Sequence, residues 1–174
     1  MKKVVSLVLV LVLALSCAGC FMADGSPTDE SVVYAPELTF LDMEGNTVKL
    51  TDCFGKPMVL NFWASWCSPC KSEMPLFQEK YEEYGDEVNF LIVALVDGTT
   101  ETVESAKAYI EQKKYTFPVY FDTKNQASEI YGVNAIPTTF FIAPDGAVLG
   151  YATGAVTEKI FEDGMNRIMP AETE

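Results

Sequence analysis

Two cysteines three positions apart, Cys67 and Cys70 with Ser68-Pro69 between them, are the residues best placed to do chemistry. The thiolate is the nucleophilic form of cysteine, and it is favoured where the free N–H groups of a helix start stabilise an anion. An apolar run over residues 58–64 ends shortly before Cys67 and helical spacing begins at Ser68, which puts Cys67 at such a start. Cys70 follows one turn later on the same face. Their Cα atoms then fall in the roughly 4.4–6.8 Å window that a disulfide needs. Cys67 can therefore attack a disulfide, and Cys70 can resolve the mixed disulfide that results. Two other uses of the pair stand beside this one. The first is an inert structural bridge, although closing so short a loop gains little entropy. The second is a four-thiolate zinc site with Cys17 and Cys20, which requires both to remain in the mature chain. The strand-to-helix context favours redox chemistry, with no metal and no cofactor. The chain has no histidine, so Ser–His and Cys–His catalysis and His-containing metal sites are excluded.

Holding such a pair takes a sheet and a helix, and the periodicity supplies both. Residues 38–41 and 47–50 read as short strands joined at Glu44-Gly45-Asn46, a hairpin signal. Gly55-Lys56-Pro57 is a turn ahead of residues 58–64, an apolar run of strand length that suits a central strand. Residues 68–84 have helical spacing, with Met74, Phe77, Tyr81 and Tyr84 on one stripe, and Gly85 stops them. A second buried strand covers 88–96, followed by a helix at 102–113, a brief strand at 119–121 and a short helix at 125–131. Residues 138–143 and 147–151 form a hairpin around Pro144-Asp145-Gly146, and 157–169 form a closing helix. This order predicts an α/β fold, a central mixed sheet with helices on both faces, in one domain without repeats.

The ends of the chain carry a different message. Lys2 and Lys3 precede an apolar run over residues 4–15, shorter than the roughly 20 residues that span a bilayer, so a cleaved export signal fits better. Ser16-Cys17-Ala18-Gly19-Cys20 follows and resembles a bacterial lipobox, in which the cysteine after small residues is diacylated. That resemblance implies lipidation at Cys20, with Cys17 as a second register. The stretch that follows, with Asp24-Gly25-Ser26-Pro27-Thr28-Asp29-Glu30, is too polar to offset its ordering entropy and reads as a tether. Without Lys2 and Lys3 the mature chain sets 10 Lys and Arg against 25 Asp and Glu. Such an acidic balance argues against nucleic-acid binding and against adhesion to anionic lipid.

Trp63-Ala64-Ser65-Trp66-Cys67-Ser68-Pro69-Cys70 with Ile136-Pro137-Thr138 downstream resembles the thioredoxin superfamily. Asn61-Phe62 before that motif, Glu73-Met74-Pro75 after it and the early hairpin resemble more specifically its membrane-anchored TlpA/ResA-like branch of thiol–disulfide oxidoreductases. The resemblance implies a thioredoxin fold with an N-terminal β-hairpin extension. It implies Cys67 as nucleophile, Cys70 as resolving thiol, and Pro137 as a cis-proline facing them. The Ile136 backbone would pair with an extended substrate, and Trp66 would shield the site. Pro75 would kink the helix. Asn61 stands where thioredoxin itself usually has a buried aspartate, which weakens the case for that proton relay; Glu73 is the nearest helical carboxylate to Cys70, placed to assist its deprotonation, but is expected in preference to be a solvated surface residue. Cys53 is expected to be a small buried hydrophobe.

The expected organisation is a lipoprotein signal peptide over residues 1–19, a flexible tether over 20–35, a thioredoxin-like domain over 36–170 and a tail over 171–174. The expected function is reduction of disulfides in exported proteins, outside the cytoplasm, from a lipid anchor in the cell membrane. The resemblance implies a membrane electron donor of the CcdA or DsbD type. An oxidase or isomerase would use the same residues. A thiol peroxidase would want Pro-x-x-x-Thr-x-x-Cys, and a metallochaperone a histidine and a longer cysteine spacing; both are missing.

Overall fold

Seven strands form one mixed sheet in the computed structural model, which describes residues 32–169. The expected signal peptide, Cys20 and most of the expected tether lie outside the described residues, as does the expected tail. The strands are β1 (Thr39–Leu41), β2 (Thr47–Lys49), β3 (Met58–Trp63), β4 (Asn89–Leu95), β5 (Val119–Asp122), β6 (Thr138–Ile142) and β7 (Val148–Thr153), in the spatial order β2-β1-β5-β4-β3-β6-β7. β3 runs parallel to β4, and β4 to β5, whereas β6 is antiparallel to β3 and to β7. Parallel neighbours need crossovers, and helices α1 (Ser68–Tyr84), α2 (Val103–Lys113), α3 (Gln126–Tyr131) and α4 (Glu158–Ile168) provide cover on the two faces.

β3 is buried at every position, and its sequence is apolar apart from Asn61. Its alternate side chains feed two cores. Val59 and Trp63 pack with Met74 and Phe77 of α1, Ala106 and Ile110 of α2, and Phe161 and Met165 of α4. Met58, Leu60 and Phe62 face the other way, toward Leu38, Phe40, Leu50 and Ala127 of α3. Each large apolar side chain so enclosed contributes about 1.5–3 kcal/mol.

The expected elements are all present, with small shifts at their ends. Leu50 begins a 3-10 turn (Leu50–Cys53) instead of ending a strand. The edge strand β7 runs on to Thr153. The stretch expected as tether is tied down before residue 36: Tyr34 bridges Ala147, the Val33 carbonyl accepts from Val148 N–H at 2.8 Å, and Ala35 N–H donates to the Gly146 carbonyl at 2.8 Å.

Candidate active site

β3 delivers the chain to a short turn, and α1 carries it away. Cys67 is the N-cap of α1, in extended conformation, and its sulfur accepts the Cys70 N–H at 3.2 Å. A free N–H of the first helical turn thus points at the sulfur, which is the arrangement that stabilises a thiolate. Pro69 occupies the first turn, where a missing N–H costs nothing. The two sulfurs are bonded to each other, with Cα atoms 5.3 Å apart. Both cysteines are buried, Cys67 slightly less than Cys70: 3% against 0%. With the bridge closed, the Cys67 sulfur is tucked against the Ile136 carbonyl at 3.8 Å, which accounts for its burial.

The Ile136–Pro137 peptide is cis. Its loop is fastened on both sides: Gly154 N–H donates to the Pro137 carbonyl at 2.8 Å, and the Thr138 hydroxyl donates to the Ala135 carbonyl at 2.8 Å. Gly154 sits at φ +94°, a left-handed conformation that favours glycine at this point. Trp66, the residue before Cys67, is 54% exposed. On the far side of the loop, Asn134, Ala135 and Thr138 begin an apolar hollow of about 890 Å³, walled by Tyr131, Phe140, Tyr151, Leu149 and Tyr34. No charged side chain lines it.

Glu73 corrects the expectation of a solvated surface residue. It is only 2% exposed. Its Oε1 accepts from Asn61 Nδ2 at 2.9 Å and its Oε2 from Val156 N–H at 2.6 Å. Asn61 Nδ2 also donates to Thr139 Oγ1 at 2.9 Å. Burial pushes the Glu73 carboxyl up to about 7, against the lowering effect of the Val156 and Asn61 hydrogen bonds. Glu73 thus stands one turn beyond Cys70 on α1, buried and hydrogen-bonded to Asn61 and Val156. The signal lay in the spacing: Cys70, Glu73, Met74 and Phe77 make one buried stripe. Pro75 lies inside α1 as expected, where it leaves the Lys71 carbonyl without a helical donor.

Glu101 went unnoticed in the sequence, having no periodic neighbours to mark it. It is fully buried in the loop before α2, and its carboxylate accepts from Ser65 N–H and Ser65 Oγ, both at 2.8 Å. Cys53 keeps a free thiol, half-buried rather than enclosed. Burial first, then Asp52 and Glu37, push that thiol up, away from reactivity.

Comparison with known proteins points the same way as this geometry. The AhpC/TSA family model matches residues 33–150. The thiol-disulfide oxidoreductase ResA of Bacillus subtilis is 37% identical over 139 residues, covering 80% of this chain and 76% of that protein. The crystal structure of StoA from Bacillus subtilis has a TM-score of 0.64 at 29% identity, covering 77% of this chain and 98% of that one. The exposed lipoprotein thioredoxin Etrx1 of Streptococcus pneumoniae has a TM-score of 0.66 at 29% identity, covering 75% and 98%.

Proposed function

This chain belongs to the AhpC/TSA family and is a thiol–disulfide oxidoreductase related to ResA, and from that premise we propose that it reduces disulfides of exported proteins from the outer side of the cell membrane. The observation that carries the reading is the closed Cys67/Cys70 bridge at a strand-to-helix junction, with Cys67 as N-cap beneath the Ile136–Pro137 loop.

In the reduced protein the Cys67 thiolate attacks one sulfur of a substrate disulfide, and the substrate's other sulfur leaves as a thiolate. Cys70 then gives its proton to Glu73, whose carboxyl near 7 is matched to that task. The Cys70 thiolate attacks the Cys67 sulfur of the mixed disulfide, the Cys67/Cys70 bond forms and the second substrate thiolate departs. Ile136 offers backbone to an extended substrate segment, Pro137 shapes that loop, and Trp66 covers the solvent flank. The closed bridge must then be reduced again by a dithiol donor, for which a membrane protein of the CcdA or DsbD type is suited.

The export signal over residues 1–19 and lipidation of Cys20 belong to the same proposal, as do the tether from residue 20, a thioredoxin-like domain over 36–170 and the tail over 171–174. The lipoprotein named among the structural neighbours supports the anchor. Trapping tests the chemistry. Cys70→Ser should accumulate mixed disulfides on non-reducing gels, and Cys67→Ser should trap almost nothing. The reversed pattern would assign attack to Cys70 and sink the mechanism. The direction is tested by the reduction potential of the pair: a value near the reducing end of the roughly −270 to −120 mV range of such proteins supports a reductase, and one near the oxidising end refutes it.

A further inference from the structure

We propose that Glu101 is a positioning residue for the redox turn, holding Cys67 within reach of Cys70 when the bridge is open. The proposal rests on the reading that this pair cycles between dithiol and disulfide. Residues 64–67 leave β3 before α1 has begun, so the turn has few partners of its own. Cys67 N–H donates to the Ala64 carbonyl at 3.1 Å, and Lys71 N–H to the Cys67 carbonyl at 3.0 Å. Ser65 N–H takes its partner from outside, at Glu101 Oε2, and its hydroxyl takes the same oxygen.

Glu101 is built to be immobile. Asp97 Oδ1 accepts from the N–H groups of Thr99 (2.8 Å), Thr100 (2.7 Å) and Glu101 (3.0 Å). In return the N–H groups of Asp97 and Gly98 donate to the Glu101 carbonyl at 3.1 and 3.0 Å. The loop is therefore closed on itself, and its other end is the α2 N-cap, where Thr102 and Ser105 form a reciprocal capping box. Glu101 Oε1 accepts from Ser105 Oγ at 3.1 Å. α2 is pinned in turn to the core through Ala106 and Ile110, and Tyr109 lies 5.6 Å from the Trp63 ring. A chain of rigid contacts thus runs from the core to Ser65, two residues before Cys67.

A fully buried carboxylate is a costly fastener for a loop, since burying it must be offset by every hydrogen bond it makes. Its placement has a chemical consequence. While the bridge is closed, the covalent bond itself holds Cys67. Once the bridge is reduced, the fastened turn keeps the Cys67 sulfur close to Cys70, so the mixed disulfide is resolved within the chain. Loosening the turn lowers the effective concentration of one thiol at the other, favours the dithiol and raises the reduction potential.

The test measures the potential of the Cys67/Cys70 pair against a thiol–disulfide redox buffer for wild type, Glu101→Ala, Glu101→Gln, Ser65→Ala and Gly164→Ala. Glu101→Ala should weaken the bridge at least fivefold, about 20 mV at ~30 mV per tenfold for two electrons. Glu101→Gln keeps an acceptor for Ser65 and should return most of the way to wild type. Ser65→Ala keeps the N–H contact and should shift in the same direction by less. Gly164→Ala crowds the Phe141 ring and touches neither Ser65 nor the Glu101 loop, so it should lower thermal stability and leave the potential unmoved. The proposal is overturned if Glu101→Ala and Gly164→Ala shift the potential equally, if Glu101→Ala leaves it unchanged, or if Glu101→Gln shifts it as far as Glu101→Ala. Should Glu101→Ala fail to fold, an unchanged potential in Ser65→Ala overturns the proposal. A wild-type pair that excess dithiothreitol cannot reduce would instead refute the redox reading itself.

Discussion

Replacing Glu73 by Gln should make the oxidised protein's stability less sensitive to pH, and the size of the effect follows from the burial of that one carboxyl. In the unfolded chain Glu73 ionises at its ordinary value of 4.5, and in the folded protein at about 7. Below 4.5 both states are protonated and stability is full. Between 4.5 and 7 the unfolded chain ionises while the folded one resists, so folding loses about 1.4 kcal/mol per pH unit. Above 7 both are ionised, and the accumulated loss is about 3 kcal/mol. Glutamine has no such titration. Its oxygen can accept from Val156 N–H, and the buried Asn61 Oδ1, which has no partner, can receive one of its amide hydrogens after a flip of the Asn61 amide. Asp97 shifts the opposite way, held down to about 2 by N–H groups of Glu101 and Thr99, and its contribution is lost only at lower pH. The assay is urea denaturation of oxidised wild type and Glu73→Gln at several pH values from 4 to 8. The stability of wild type minus that of the variant should fall by about 3 kcal/mol across that range. A difference that stays flat would show that Glu73 ionises as an ordinary surface acid and would remove it as the proton acceptor for Cys70.

Gly164→Ala should cost about 1–3 kcal/mol in stability or more, because a Cβ there meets the Phe141 ring at 2.3–2.5 Å; chemical denaturation reads the loss, and the Cys67/Cys70 potential should not follow it. In the reduced protein, iodoacetamide at neutral pH should modify Cys67 well before Cys53, whose thiol is pushed up by burial; mass mapping of the alkylated peptides that found Cys53 first would contradict this order. Mass spectrometry of the mature N-terminus should find a diacylglyceryl group on Cys20 with nothing before it, and an unmodified chain retaining residues 1–15 would reject the anchor.

What the sequence made legible follows from where period and chemistry coincide. β3 and β4 were readable because central strands buried on both faces are mostly apolar, Asn61 and Asn89 being the exceptions. The cysteine pair was readable because its three-residue spacing has chemical meaning only at a helix start. Glu73 was misread because its charge was given more weight than its position: it stands three residues after Cys70 and four before Phe77, on the side of α1 that is buried. Lys80 stands on the same side and is buried to a similar degree, yet its amine reaches Glu83 at 3.1 Å. A long side chain can carry its charge to the edge of an apolar stripe, and a glutamate beside the cysteines has no such exit, so it must be satisfied where it stands. Glu101 poses the harder problem. It lies in a loop with no period, and its partner Ser65 is 36 positions earlier, so only the tertiary fold brings the two together. Three acids are buried among the described residues, and one of them, Asp122, simply ties down the start of α3, accepting from Ala127 N–H at 2.8 Å. A carboxylate ordinarily lowers its energy by facing water. Glu73, on the helix that carries Cys70, and Glu101, bonded to the turn that carries Cys67, forgo that beside the sulfurs, and local sequence cannot announce it because the requirement belongs to the assembled site.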